Sequence, residues 1–162
     1  MEAPVKISCE AIWKIYGSDP AGFLKRHEYR PEFAAFRAEG YIGAVRDVSF
    51  AVATGEILVV MGLSGSGKST LVRCLSRLVD PTAGSIHFDG EDITRADMRK
   101  LTKLRRRKIG MVFQNFGLLP HRTAAENVSF PLELQGMPRA ERQAKALELL
   151  RLVGLQLSLI HI

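Results

Sequence analysis

The chain opens with a loose alternation of apolar and polar positions, "VKISCEAIWKI" from Val5 to Ile15, which predicts a strand. The glycine and proline of "YGSDP" follow, so the strand is expected to end near Tyr16. In "AGFLKRHEYRPEFAAFRAEG", Phe23, Leu24, His27, Phe33 and Phe36 recur at roughly helical spacing on either side of Pro31. This predicts a short helical insertion rather than a linker. Next, Val45, Val48 and Phe50 alternate with polar neighbours in "AVRDVSFAV", as in a half-exposed strand, and "ATGE" turns the chain into "ILVVM". A continuous apolar run of that kind predicts a strand buried on both faces.

The later pattern continues the alternation of strand and helix. "KSTLVRCLSRLV" places Leu71, Leu75, Leu78 and Val79 at helical spacing, with Asp80-Pro81 as the expected stop. Asp89-Gly90 within "GSIHFDGED" predicts a hairpin, and Thr94 with Asp97 predicts a capping box opening "TRADMRKLTKLRRR". A second buried strand is expected in "IGMVFQ". Thr123 with Glu126 forms another capping-box pattern, Pro131 is expected to interrupt the helix that follows, and "PRAERQAKALELLRLVG" reads as an amphipathic helix stopped by Gly154. Strands alternating with helices predict an α/β fold with a partly parallel sheet.

One junction between strand and helix carries chemistry. Residues Gly62, Leu63, Ser64, Gly65, Ser66, Gly67, Lys68 and Ser69, "GLSGSGKS", match G-x-x-x-x-G-K-[ST] at every fixed position. The glycines permit the dihedrals that turn backbone N–H groups inward, where they cradle a phosphate at the positive end of the next helix. Lys68 reaches β- and γ-phosphate oxygens as a point charge, the Ser69 hydroxyl suits Mg²⁺, and Thr70 extends the hydrogen bonding. The bland alternative is an ordinary glycine-rich turn, which the flanking strand and helix disfavour. The pattern predicts a bound nucleoside triphosphate, not what is done with it.

Composition narrows the class. The 162 residues are 46% hydrophobic and 25% charged, which suits one folded domain or a piece of one and excludes a disordered chain. The net charge of +6 favours anionic partners without choosing among them. The two cysteines, Cys9 and Cys74, lie far apart with no zinc spacing, so neither a disulfide framework nor a metal site of that kind is expected. With no apolar run of spanning length and no signal-like N-terminus, an unexported chain is expected, its contact with a membrane made through a partner. The basic run "RKLTKLRRRK", Arg99 to Lys108, could neutralise nucleic-acid phosphates, but without aromatic interleaving it reads as the solvated face of a helix.

"MGLSGSGKSTL" resembles the Walker A of ATP-binding-cassette (ABC) ATPases, "PTAGSIHFDGEDI" resembles that family's hairpin region, and "IGMVFQNFGLLPHRTAAENV" its Q-loop strand and helix. Taken together in this order, they give a resemblance running from Val5 to about Leu155. It implies a P-loop NTPase with an ABC-type core, a mixed sheet and an antiparallel β subdomain. By the same resemblance Gln114 is the Q-loop glutamine, close to Mg²⁺ and the attacking water, and Tyr16 is the aromatic residue that stacks on adenine. A π-face binds a base without directional bonds, though a tyrosine closing a strand also serves as ordinary packing. Leu63 in the loop and the insertion, taken as residues 17–44, resemble the ATPase subunit of glycine betaine, proline or choline importers.

That resemblance implies ATP and Mg²⁺ as cofactors, a transmembrane permease and a second ABC subunit as partners, and a place on the cytoplasmic face of the membrane. It also implies motifs not found in the 162 residues: the LSGGQ-type signature, the Walker B aspartate, the catalytic glutamate and the switch histidine. Residues 1–155 therefore read as the N-terminal portion of a cassette and 156–162, "LSLIHI" with its preceding glutamine, as a foreign tail in which His161 has no role. Hydrolysis by this chain alone is expected to be near background. A non-hydrolysing nucleotide-binding fragment and a soluble ABC protein acting on nucleic acid are the alternatives. A P-loop kinase or GTPase would need an acceptor lid or a guanine-specific N/T-K-x-D, and the sequence has neither.

Overall fold

The alternation at the N-terminus produces β1 (Val5–Tyr16), which ends at the expected tyrosine in the computed structural model, where residues 3–114 and 117–155 are described. The chain divides into two compact units, residues 1–101 and 102–162. In the first, β1 lies between β2 (Ile42–Ala53) and β3 (Ala83–Phe88), and the two-residue β4 (Glu91–Asp92) completes the sheet. The order is β2-β1-β3-β4, antiparallel throughout. Strict alternation fails where the register of β1 with its neighbours shifts. The register shifts between Cys9 and Ile12, with Ala11 at φ 47° and its N–H donated to the Ser49 hydroxyl, so that Ile12 and the adjacent Trp13 are both buried.

Turn chemistry follows the sequence closely. Asp89 and Gly90 both take positive φ, 50° and 76°, as the two central residues of a type I′ hairpin turn require. After β2, Gly55 takes φ 82° and the Glu56 carboxylate accepts the Ala53 N–H at 2.6 Å.

Between β1 and β2 the insertion forms α1 (Pro20–Arg26) and α2 (Phe33–Ala38). Proline opens α1, and the Asp19 carboxylate caps it by accepting the Gly22 N–H at 3.0 Å. The apolar residues Phe23, Leu24, Phe36 and Tyr41 gather on Trp13 and Ile15, giving a small core around the fully buried Phe23. Since β2 begins at Ile42, the excursion occupies residues 17–41 rather than 17–44. Its two ends meet, because Tyr16 is the register partner of Ile42.

Three other expectations in this unit are corrected. Ile57–Met61 is no strand: it joins no ladder, and Ile57 and Met61 are 86% and 85% exposed. A strand buried on both faces needs a hydrogen-bonded neighbour and covering layers, and the sheet of the described residues supplies neither there. Helix α3 (Lys68–Leu75) stops short of Asp80-Pro81. Arg77 adopts φ 53° and buries its side chain, donating to the Ile93 carbonyl at 3.1 Å and pairing with Asp80, so a tertiary anchor ends the helix before proline does. Thr94 caps no helix, because its hydroxyl accepts the Ile86 N–H at 2.7 Å; Asp97 instead accepts the Lys100 N–H at the start of α4 (Met98–Arg107).

In the second unit, Ile109–Gln114 is likewise not a strand, with Val112 fully exposed, for the same want of a ladder among the described residues. Helix α5 (Ala124–Leu134) opens on the expected capping box: Glu126 N–H donates to the Thr123 hydroxyl at 3.2 Å and Thr123 N–H to the Glu126 carboxylate at 2.9 Å. Hydrogen bonding from Thr123 holds the Glu126 carboxyl below its usual range. The helix runs through Pro131 rather than breaking there. Proline removes a single internal N–H donor, and Glu133 beyond it is held by Arg122 at 3.0 Å and Arg142 at 3.3 Å.

Helix α6 (Arg139–Leu152) ends on Gly154, φ 77°, with Leu155 N–H bonded to Leu150 O and Gly154 N–H to Arg151 O. This is a Schellman ending. The segment 156–162, expected to be foreign, lies outside the described residues. Thr123→Ala should destabilise the second unit by about 1 kcal/mol, read as a lower urea midpoint of the helical far-ultraviolet signal, whereas Thr123→Ser should leave it unaltered.

Candidate nucleotide-binding site

The loop from Gly62 to Thr70 draws its shape from two glycines in the left-handed region, Gly65 at φ 77° and Gly67 at φ 89°. Gly65 stands in open space, whereas Gly67 is the N-cap of α3 and lies against β2, where an added Cβ would fall 1.9 Å from the Ala44 carbonyl oxygen. The loop therefore needs glycine at this position for conformation and for close approach alike. Ser66 N–H closes a tight turn onto Leu63 O at 3.2 Å.

Lys68 folds back over this turn. Its Nζ donates to Gly62 O at 2.8 Å, Leu63 O at 2.6 Å and the Ser66 hydroxyl at 3.3 Å. An ammonium held by carbonyls at the rim of a glycine loop stands where a phosphate oxygen would compete for it, and the first turn of a helix such as α3 leaves N–H groups without a helical acceptor. Ser64 and Ser69 are exposed and Thr70 is half-buried. Leu71 and Cys74 bury the opposite side of α3, and burial pushes the Cys74 thiol up while the Lys14 ammonium acts against it. The donor set fits a polyphosphate, and the Ser69 hydroxyl in the first turn of α3 fits a hard cation beside it. Among the described residues no cluster of three or more His, Cys, Asp or Glu side chains could hold a metal by itself.

Tyr16 is brought into the same unit. It closes β1 opposite Ile42, two residues from the Ala44 that Gly67 abuts, a spacing of about 7 Å along the strand. The ring is partly exposed, and the Lys14 ammonium lies 4.9 Å from its centroid. Sequence reasoning missed Lys14. The signal was present in "KIY", because residues two apart on a strand project from one face.

Gln114 belongs to the second unit, exposed at a bend. Phe113 beside it lines a groove of about 590 Å³ with Leu118, Phe130 and Leu134. On α4, Lys100 pairs with Glu91 at 2.7 Å while Leu101 is buried. Among the described residues no helix is long and apolar enough to cross a membrane.

Known proteins resemble this chain in sequence and in fold. The chain is 57% identical over 155 residues to the trimethylamine N-oxide transport system ATP-binding protein TmoW of Ruegeria pomeroyi, covering 96% of this chain and 45% of that protein. It is 49% identical over 158 residues to the glycine betaine transport ATP-binding protein OpuAA of Bacillus subtilis, covering 96% of this chain and 37% of that protein. The chain thus spans less than half the length of these relatives. A dimeric ATP-binding cassette in a post-hydrolysis state bound to ADP and Pi superposes with a TM-score of 0.76 at 33% identity, over 96% of this chain and 60% of that one. Residues 45–161 match the ABC transporter family, the stretch that includes the glycine loop, α3 and the segment bearing Gln114, and by that match the chain belongs to the ABC transporter family.

Proposed function

We propose that this chain carries the nucleotide-binding part of the ATPase subunit of an ABC importer. The observation that carries the reading is the loop at Gly62–Thr70, where Lys68 caps inward-turned carbonyls at the N-terminus of α3 beside a glycine that admits no side chain. Gly62, Leu63, Ser64, Gly65, Ser66, Gly67 and Lys68 would cradle the phosphates of ATP, Ser69 and Thr70 would flank them, and Tyr16 would take the adenine. Ser69 would hold Mg²⁺, and Gln114 would serve as the Q-loop glutamine. The ion would neutralise phosphate charge during transfer to water.

The partners in this reading are a transmembrane permease and a second copy of the cassette, with the subunit on the cytoplasmic face of the membrane. The dimeric neighbour and the relatives named as ATP-binding proteins of transport systems support it. Trimethylamine N-oxide and glycine betaine share a fully substituted nitrogen, which supports a small solute of that type, such as a betaine or choline.

The test is equilibrium binding of Mg·ATP to the chain and to Lys68→Met. Loss of charge-assisted bonds to the phosphates should weaken binding about 10- to 100-fold. Equal affinity of the two proteins would remove the loop from nucleotide binding. Cells carrying Lys68→Met in the full-length gene should lose uptake of labelled glycine betaine; retained uptake would count against the transport reading.

A further inference from the structure

Lys14 and Tyr16 are two residues apart on β1 and share a face of the sheet. At 4.9 Å from the ring centroid, the Lys14 ammonium is within cation–π range of the Tyr16 ring. In the β1–β2 register Lys14 stands opposite Val45 and Tyr16 opposite Ile42, and Ala44, between those partners, presents the carbonyl against which Gly67 packs. Lys14 therefore stands beside an exposed aromatic ring, on the strand pair against which the glycine loop packs.

We propose that Lys14 is a positioning residue for base recognition: its ammonium covers one face of the Tyr16 ring and leaves the opposite face for a purine. An exposed tyrosine at a strand end loses side-chain freedom when a base stacks on it. A cation already seated on one face restricts the ring beforehand, so less ordering remains to be done on binding. Withdrawal of π-density toward the cation also makes the free face a better partner for an electron-rich purine. The inference rests on the nucleotide-binding reading above and adds a residue that the loop pattern does not contain.

The experiment compares affinities for Mg·ATP and for inorganic triphosphate with Mg²⁺, in the 162-residue chain and its Lys14→Met, Lys14→Arg and Tyr16→Leu variants. Methionine keeps the aliphatic stem and removes the charge, while arginine keeps a cation able to stack. Lys14→Met should bind ATP about two- to fivefold more weakly with triphosphate affinity unaltered, and Lys14→Arg should restore ATP binding. Three results would overturn the inference: unaltered ATP affinity in Lys14→Met, tighter ATP binding, which would place Lys14 on the base's own face, or equal losses for ATP and triphosphate, which would place it on the phosphates. If Tyr16→Leu loses affinity for ATP alone while Lys14→Met does not, the Lys14 inference falls and the nucleotide reading stands. A wild-type chain that binds neither ligand overturns both.

Discussion

Gly67→Ala is expected to unfold the first unit at a markedly lower urea concentration and to abolish nucleotide binding. The new Cβ would sit 1.9 Å from the Ala44 carbonyl oxygen, which is backbone of β2 and has no rotamer through which to yield. The φ of 89° adds the cost of a left-handed alanine. Strain of that kind costs about 1–3 kcal/mol, and the displacement of α3 from the strand comes on top of it. Gly65→Ala is the control: its φ of 77° is comparable, but nothing lies within 4 Å of the added Cβ, so only the conformational cost of about 1–2 kcal/mol remains. Trp13, the single tryptophan, is buried in the first unit and reports its unfolding by fluorescence. Coincident midpoints for the two variants would show that the contact between Gly67 and Ala44 does not shape the loop.

Phe23→Ala should have the larger effect on stability alone, about 3–5 kcal/mol. Its ring is fully buried, with its centroid 5.0 Å from that of Phe36 and 4.4 Å from that of Tyr41, in the cluster that also holds Trp13 and Ile15. Truncation would leave a cavity that short helices anchored at both ends of one excursion cannot close. Phe33→Ala, by contrast, removes a ring that is 77% exposed and rests against the Arg46 guanidinium, and should cost less than about 1 kcal/mol. Trp13 emission again reads both, and a Phe23→Ala protein as stable as wild type would mean that the insertion has no core of its own. Because the excursion leaves the sheet at Tyr16 and rejoins it at Ile42, the damage should also reach base affinity before phosphate affinity.

The features legible in the sequence were those whose cause lies within a few residues. The I′ turn at Asp89-Gly90, the capping box of Thr123 and Glu126 and the Schellman ending at Gly154 are each dictated by a local dihedral or a nearby orphan N–H, and each stands where the pattern puts it. The glycine loop belongs with them, since its glycines and Lys68 act on one another across six residues.

Where the pattern misleads, a distant partner decides. "ILVVM" and "IGMVFQ" carry the composition of buried strands, yet a ladder is made between segments and neither has a partner among the described residues. Thr94 follows the capping-box rule until the Ile86 backbone offers a better use for its hydroxyl, and Pro131 stays within a helix that ion pairs from Arg122 and Arg142 hold beyond it.

The sequence by itself determined the glycine loop, the strand leading to Tyr16, the hairpin and the helix ends, because these depend on dihedral preference and on hydrogen bonds between near neighbours. Only the tertiary structure decided that Gly67 lies against Ala44, that Arg77 ends α3 by reaching Ile93, and that Lys14 sits over the Tyr16 ring. Those contacts depend on which segments the fold brings within a few ångströms and on how each side chain then packs.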